Sequence, residues 1–336
     1  MSTKLIYALT FTIFLVTIPI IGVGILKLEF LFSIVVPYLA LAIFFLGSIH
    51  RVVLWSTSPQ PFNITLSAGQ NKSFRWIRTS YVESPHSKFG VILRMITEVL
   101  LFRSLLRNEM VKTHESRWLV FTPKKGLWFL AMIFHYSLLV IVLKHLRFFF
   151  EPTPFFLDLI LRIDKFFELS LPSLSLTEVL VLVGTVGLLL RRILSKEIKY
   201  ISLFGDYFIL LLILTLVLTG ILLKHSFRVD LLDVKRFCIG LFTFNPHVPS
   251  KVGLTFYVHL FFVSVLLVYF PYSKLVHAKG VFFSPTRNLP NNSRQKRYIN
   301  PWNYPVKVKS YEEWEEEYRD MLKEANIPLD KEEKGP

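Results

Sequence analysis

The sequence predicts an all-α polytopic membrane protein with six transmembrane helices. Three observations carry that prediction. Hydrophobic residues make up 52% of the 336-residue chain, and the mean hydropathy of +0.48 lies above that of a soluble domain. Six stretches approach the roughly 20 apolar residues that a helix needs to cross a bilayer. The basic residues behind the formal net charge of +15 are gathered in loops between those stretches. Gathered charge of this kind sets membrane topology, so the partner it implies is membrane lipid and not nucleic acid.

The six stretches run approximately over 5–26, 30–49, 126–146, 176–191, 203–224 and 252–274. A single Lys precedes the first, with no small-residue cleavage pattern after it, so it is expected to be an uncleaved span and not a signal peptide. The fourth has the weakest apolar character, being interrupted by Gly184 and Gly187 and closed by Arg191 and Arg192. Twelve Lys or Arg against four acids in 51–125, compared with three against four in 147–175, place the long loop in the cytoplasm. Alternation then leaves both termini on that side of a cell membrane. The loop 192–202 agrees, whereas the basic residues of 225–251 pull the other way.

This gives four regions: 1–50 with two N-terminal transmembrane helices, 51–125 as a basic cytoplasmic loop, 126–277 as a four-helix region, and 278–336 as a cytoplasmic tail. Within the loop, residues 89–108 alternate apolar clusters with Arg94, Arg103 and Arg107, the pattern of a helix lying in the membrane interface. In the tail, Ser310 and Glu313 form a capping box. Behind it Tyr311, Trp314, Tyr318 and Met321 follow helical spacing among many glutamates.

The chemistry concentrates in four histidines. His135 and His145 lie ten residues apart on the third stretch, and His259 and His277 eighteen apart on the sixth. Imidazole is costly in lipid, and two on each of two helices is the count that two six-coordinate metal groups between those helices require. Antiparallel helices would pair His135 with His277 near the inner face and His145 with His259 near the outer face. The group that fits is haem b, two copies. No CxxCH motif supplies thioether bonds, and the single Cys238 is too few for an iron–sulfur cluster, which must therefore belong to a partner. Haems with both axial positions filled transfer electrons and do no bond chemistry, so any enzyme activity belongs to the complex that the chain serves.

The geometry leaves two tensions. At 1.5 Å per residue the two spacings span roughly 15 and 27 Å, a mismatch that a kink at Pro271 is expected to reduce. Ten residues also leave His135 and His145 about 80° apart around a helix, whereas His259 and His277 share a face if that helix is continuous. Lys144 and Arg147 are candidates to pair anionic propionates of the outer haem, and Arg51, Lys274 and Lys279 those of the inner one. His225, beside Lys224 at the outer face, and Lys144 are candidates for a quinol site, His225 as proton acceptor. His50, His86, His114 and His247 read as interfacial or solvated. A haem-free transporter or scaffold with a histidine relay is the alternative class, but only Glu178 and Asp206 come near mid-span as such a transporter would need.

The 10- and 18-residue spacings resemble the haem-binding helices of the respiratory nitrate reductase gamma subunit, a five-helix cytochrome b preceded here by one extra helix. The segments SPQPFNITLSAGQNKSFRWI (58–77), FPYSKLVHAKGVFFSPTRN (270–288) and YINPWN (298–303) resemble the DsrM family, the cytochrome b subunit of the membrane complex associated with dissimilatory sulfite reductase. That resemblance implies a prokaryotic cytoplasmic membrane, two b haems on His135, His145, His259 and His277, and electron exchange with menaquinone or menaquinol in sulfite or sulfate respiration. It also implies a cytoplasmic iron–sulfur partner, the HdrD-like DsrK, together with DsrJ, DsrO and DsrP. A cytochrome b of the same build serving a heterodisulfide or nitrate reductase is the nearest alternative.

Overall fold

In the computed structural model, residues 2–57, 63–64, 71–72, 74, 76–107, 109–114, 118–123, 125–166, 174–296 and 308–330 are described. The chain is built from helices, as expected. Helix α1 (Thr3–Pro19) continues as a π-helical stretch over Ile20–Ile25, giving a 23-residue apolar rod. The chain then reverses through Lys27, whose φ is 55°, into a second rod over Leu31–Ser56, most of it α2 (Val36–Ser56). This hairpin needs Gly22, because a Cβ there would lie 2.2 Å from Cε2 of Phe32. On the far side of the loop come α3 (Lys88–Leu101) and a single turn, α4 (Arg103–Leu106).

The region that forms the bundle contains α5 (Lys125–His145), α6 (Phe155–Phe166), α7 (Leu176–Leu194), α8 (Lys196–Ile201), α9 (Phe204–His225), α10 (Leu231–Phe242) and α11 (Leu254–Tyr269). It is followed by α12 (His277–Phe283), α13 (Pro285–Asn288) and the tail helix α14 (Tyr311–Glu324), which starts on the expected Ser310–Glu313 capping box. Among the described residues, five helical rods are long and apolar enough to cross a membrane. The expected sixth, α7, forms a 19-residue helix but carries Glu178, Arg191 and Arg192 near its ends. The chain is an all-α multi-pass membrane protein.

Three differences from the sequence expectation have local causes. First, α2 runs to Ser56, seven residues past the expected end at 49, so His50 and Arg51 are still helical. Second, the expected helix over 89–108 breaks at Phe102, whose φ of 47° is left-handed. The carbonyls of Leu100 and Leu101 there accept from the Tyr136 hydroxyl at 2.6 Å and the Trp128 indole at 2.8 Å, so the helix end is satisfied by side chains of α5. Third, residues Glu109–His114 and Trp118–Pro123 form a two-stranded antiparallel ribbon that the all-α prediction did not contain. Alternating Val111 and Thr113 on one strand and β-branched and aromatic residues on the other were the available signal.

The bundle is an open arc. Helix α5 packs on α7, α7 on α9 and α9 on α11, while α1 lies on α9 and α2 on α11. No comparable backbone packing joins α5 to α11 among the described residues. Two clusters hold the arc. One joins Leu5 and Ala8 of α1 to Tyr207, Phe208 and Leu212 of α9 and Phe262 of α11. The other joins Val23 and Phe32 to Val234 and Phe237 of α10 and Phe256 and Tyr257 of α11.

Gly184 and Gly187, which weaken α7 as an apolar span, are where α5 approaches it. A Cβ on Gly184 would lie 2.9 Å from Cα of Phe134, a backbone clash, whereas one on Gly187 would meet only the movable Cδ2 of Leu130 at 2.7 Å. Small residues permit this close packing, the main source of helix association in lipid. Gly184→Ala is therefore expected to destabilise the purified protein by about 1–3 kcal/mol, and Gly187→Ala by less. Thermal unfolding of both variants in one detergent checks the order.

Candidate functional site

His135, His145, His259 and His277 converge on the opening between α5 and the α11–α12 segment, the first three within apolar rods and His277 five residues past the end of the last one. His135 and His277 have ring centres 6.0 Å apart with planes at 83°. His145 and His259 have ring centres 6.3 Å apart with planes at 11°. The first pair lies toward the end of the bundle that carries α3, α8 and α12, the second toward the end that carries α6 and α10.

The route to His277 differs from the sequence expectation. Helix α11 ends at Tyr269, and a 3₁₀ turn over Phe270–Tyr272 contains the buried Pro271. Ser273 is then extended at φ −113° and ψ 178°, and a second 3₁₀ turn over Lys274–Val276 leads into α12. His259 and His277 are therefore not on one continuous helix, and the argument that eighteen residues give a shared face does not apply. Proline ends the α-helix by removing a donor, and the break shortens and redirects the chain. It also removes the angular difficulty on α5, because the two partners are presented by different segments.

Each ring is oriented from behind. The Nδ1 atoms of His135, His145 and His277 lie 2.8, 2.8 and 2.7 Å from the carbonyls of Ala131, Ile141 and Lys274. A carbonyl only accepts, so Nδ1 donates in each case, and Nε2 keeps its lone pair. His259 Nδ1 lies 2.9 Å from Oγ1 of Thr219 on α9, and that hydroxyl lies 2.7 Å from the carbonyl of Thr215. Since the hydroxyl donates to the carbonyl, it accepts from His259, which leaves the same nitrogen free.

The separations fit an iron porphyrin. Two metal–imidazole bonds of about 2.0 Å each, plus about 1.1 Å from each nitrogen to its ring centre, put ring centres about 6.2 Å apart. A direct imidazole–imidazole hydrogen bond would bring them to about 5.1 Å. Among the described residues no group of three or more His, Cys, Asp or Glu side chains is placed to hold a bare metal ion. Pairs suit a porphyrin, which brings four nitrogens of its own.

The surroundings of the His135–His277 pair were not legible in the sequence. Phe102 and Phe134 stand edge-on to His135, with ring centres 5.0 and 5.1 Å away. Phe102 is placed by its left-handed backbone, and Trp128 and Tyr136 fix the α3 end beside it. Below this pair the basic loop and the segment after α12 are clasped together. Buried Asn63 donates to the carbonyls of Pro285, Thr286 and Leu289 at 2.8–3.2 Å, and Arg94 to that of Thr286 at 2.7 Å. Arg287 pairs with Glu98 at 3.0 Å. Burial favours the neutral form of Glu98, but Ser104 and Arg287 outweigh it and hold the carboxyl below its usual range. The segment 270–288 thus forms half of this clasp. The segment 58–77 contributes Asn63, but most of it, and all of 298–303, lies outside the described residues.

The other expected polar residues are placed as follows. Lys144 is paired with Asp164 of α6, which also accepts from the backbone N–H of Thr177 at 3.0 Å and from its hydroxyl. His225 lies 3.4 Å and Lys224 2.9 Å from the carboxylate of Glu178, so both are gathered at the first turn of α7. Lys274 pairs with Asp206 at 2.6 Å, and Arg192 approaches the same carboxylate at 3.5 Å. Lys279 donates to Ser48 at 2.5 Å and sits 4.4 Å above the Phe44 ring. Arg51 donates to the Pro271 carbonyl at 3.3 Å, and Arg147 lies over Phe148. Of the remaining histidines, His86 contacts Thr79 and His247 stands edge-on to Phe237, while the side chain of His114 lies outside the described residues.

The family model of the nitrate reductase gamma subunit matches residues 89–295. The chain belongs to that family. The matched stretch contains all four histidines and both ring pairs, and α1 and α2 precede it. The chain is also similar to an Hdr-like menaquinol oxidoreductase cytochrome b-like subunit of Archaeoglobus fulgidus, 39% identical over 81% of this chain and 83% of the relative. A protein of the same description from Archaeoglobus profundus is 38% identical over 79% of this chain and 81% of its own length. Membership of the nitrate reductase gamma family and the apolar helices agree on a multi-pass membrane protein.

One junction beside the second pair is open to a pH test. Burial raises the Asp164 carboxyl, but the bonds from Lys144 and Thr177 outweigh it and hold it below the usual carboxylate range. A depressed folded value adds stability above the unfolded value of about 3.9, and this is lost as pH falls through the folded value. Asp164→Asn is expected to cost about 1–3 kcal/mol at neutral pH. The difference from wild type should shrink as pH falls below 4, as thermal unfolding across pH would show.

Proposed function

We propose that this chain is the dihaem b-type cytochrome subunit of a membrane-bound menaquinol oxidoreductase. The observation that carries the reading is the pair of cross-bundle imidazole contacts at 6.0 and 6.3 Å, each with the rear nitrogen anchored. His135 and His277 would hold the inner haem and His145 and His259 the outer one. When bound, a haem with an imidazole on each face passes single electrons and has no open position for oxygen or substrate. The cytochrome b-like relatives named as menaquinol oxidoreductase subunits support the quinol link.

The remaining chemistry falls to this chain's own side chains. His225, with its Nε2 on the Glu178 carboxylate, is suited to take a proton from menaquinol and hand it to the outer surface. Lys144, fixed by Asp164 next to His145 in sequence, orients the polar head of the quinol. In this reading α7 is a sixth span, with its charged residues at the two bilayer surfaces. The basic loop and both termini are cytoplasmic, in the cytoplasmic membrane of a prokaryote.

The clasp of Asn63, Arg94 and Arg287 with 284–289 is then a rigid cytoplasmic surface below the inner pair, suited to receive an iron–sulfur subunit. A chain with one cysteine has to delegate cluster chemistry. The finer assignment is a DsrM-type subunit, with DsrK as the HdrD-like acceptor, DsrJ, DsrO and DsrP in the wider complex, and sulfite or sulfate respiration as the setting. The gamma-subunit match also favours a second reading, a nitrate reductase partner, and recovery of the native complex with a molybdenum subunit would select it.

A dithionite-reduced minus oxidised spectrum tests the core of the reading. Sharp b-type bands are expected, with one of two haems lost in His135→Ala and the other in His145→Ala. Absence of such bands from the wild type, or retention of both haems in either variant, refutes it.

A further inference from the structure

Three of the four histidines donate their rear hydrogen bond to a carbonyl of their own segment, three or four residues away. His259 donates to a side chain of another helix. Thr219 is buried on α9, and its hydroxyl is held at 2.7 Å to the Thr215 carbonyl while standing 2.9 Å from His259 Nδ1. The imidazole lies against the face of α9 at Gly220, the next residue, with Cε1 of His259 at ordinary contact distance, 3.5 Å, from where a Cβ would be.

We infer that Thr219 is the positioning residue of the outer histidine pair: it fixes the ring plane of His259 and sets the electron donation of that imidazole. The inference rests on the haem reading above and extends it to a residue that touches neither the iron nor the quinol. The physical reasons are two. An imidazole bound only through a metal can rotate about that bond, and a second anchor at Nδ1 removes the freedom. The 11° angle between His145 and His259 is thereby held, in contrast to the 83° of the inner pair. A hydrogen bond accepted from Nδ1–H also pushes electron density toward Nε2, which favours ferric over ferrous iron and lowers the potential. Because the Thr219 proton is already committed to Thr215, the hydroxyl accepts more strongly than a free one.

Thr219→Val keeps the shape and removes the acceptor, Thr219→Ser keeps the hydroxyl, and Thr219→Cys replaces it with a weak sulfur acceptor. Thr215→Val makes the same chemical change one turn away, at a side chain whose hydroxyl donates to the Leu211 carbonyl of its own helix. Full-length protein in membranes is titrated electrochemically and examined by low-temperature EPR of the ferric haems. The expected result in Thr219→Val is an upward shift of one midpoint potential and a changed ferric signal from the same haem, or loss of that haem alone. Thr219→Ser and Thr215→Val should match wild type. Both midpoints and both signals unchanged in Thr219→Val overturn the inference, as does a shift of both haems together.

If Thr219→Val does not accumulate, Thr219→Cys decides: a smaller shift in the same direction supports the role, and wild-type behaviour overturns it. Failure here leaves b-type bands intact in the wild type. Failure of the haem reading removes those bands, so the two outcomes are distinguishable.

Discussion

An imidazole has two ring nitrogens to satisfy, a demand hardest to meet among apolar helices, and the architecture of this protein meets it at four histidines. At each ring the rear nitrogen is bound within the chain, by a carbonyl or by Thr219, and the ring faces a second imidazole at a separation suited to one shared metal. The solution works only if the helices carrying the rings stand apart. The arc α5–α7–α9–α11 provides that spacing, because its packing is supplied by neighbours in the arc and not by contact between its two ends. Close approach at Gly184 and the aromatic and aliphatic cluster between α1, α9 and α11 fix the arc from within.

The two ends of the opening are built differently. At the end with His145 and His259 both histidines are on regular helix, α5 and α11, and their rings are almost parallel. At the other end His277 is delivered after Pro271 has stopped α11 and two 3₁₀ turns have moved the chain aside, and its ring stands nearly perpendicular to His135. The break also turns the segment after it across the basic face, where α12 and α13 meet α2 and α3. Gly47 and Gly280 lie at the closest approaches, beside Pro271 and Trp55. Any partner docking on the clasp would therefore act on the element that carries His277.

Both faces of the bundle use ion pairs at helix ends instead of charges in mid-span. Glu178, Asp164 and Asp206 each sit at or near the end of a helix and take cations from elsewhere: Asp164 from Lys144 of α5, Glu178 from Lys224 of α9, and Asp206 from Arg192 of α7 and Lys274. This arrangement gives the transporter alternative little support, since neither Glu178 nor Asp206 projects unpaired into the membrane interior. It also shows why net charge was silent about contacts: which carboxylate each Lys or Arg meets depends on residues distant in sequence, as with Lys274 and Asp206 or Arg287 and Glu98.

The sequence by itself determined the helical class, the places of the apolar rods apart from the length of α2, the tail helix with its capping box, and the four histidines as the residues to watch. These are local properties: hydropathy over about twenty residues, a three-residue capping signature, and the expense of imidazole in an apolar run. Only the tertiary structure decided what depends on the meeting of distant segments. It put His277 on a separate short helix, made Gly184 and Gly187 a packing surface instead of a flaw, bent the chain at Phe102 against α5, and brought Thr219 behind His259. A threonine in an apolar helix hydrogen-bonds to its own backbone equally well whether or not a histidine faces it, so nothing in its local sequence reveals the partner; that is settled by the packing of α9 against α11.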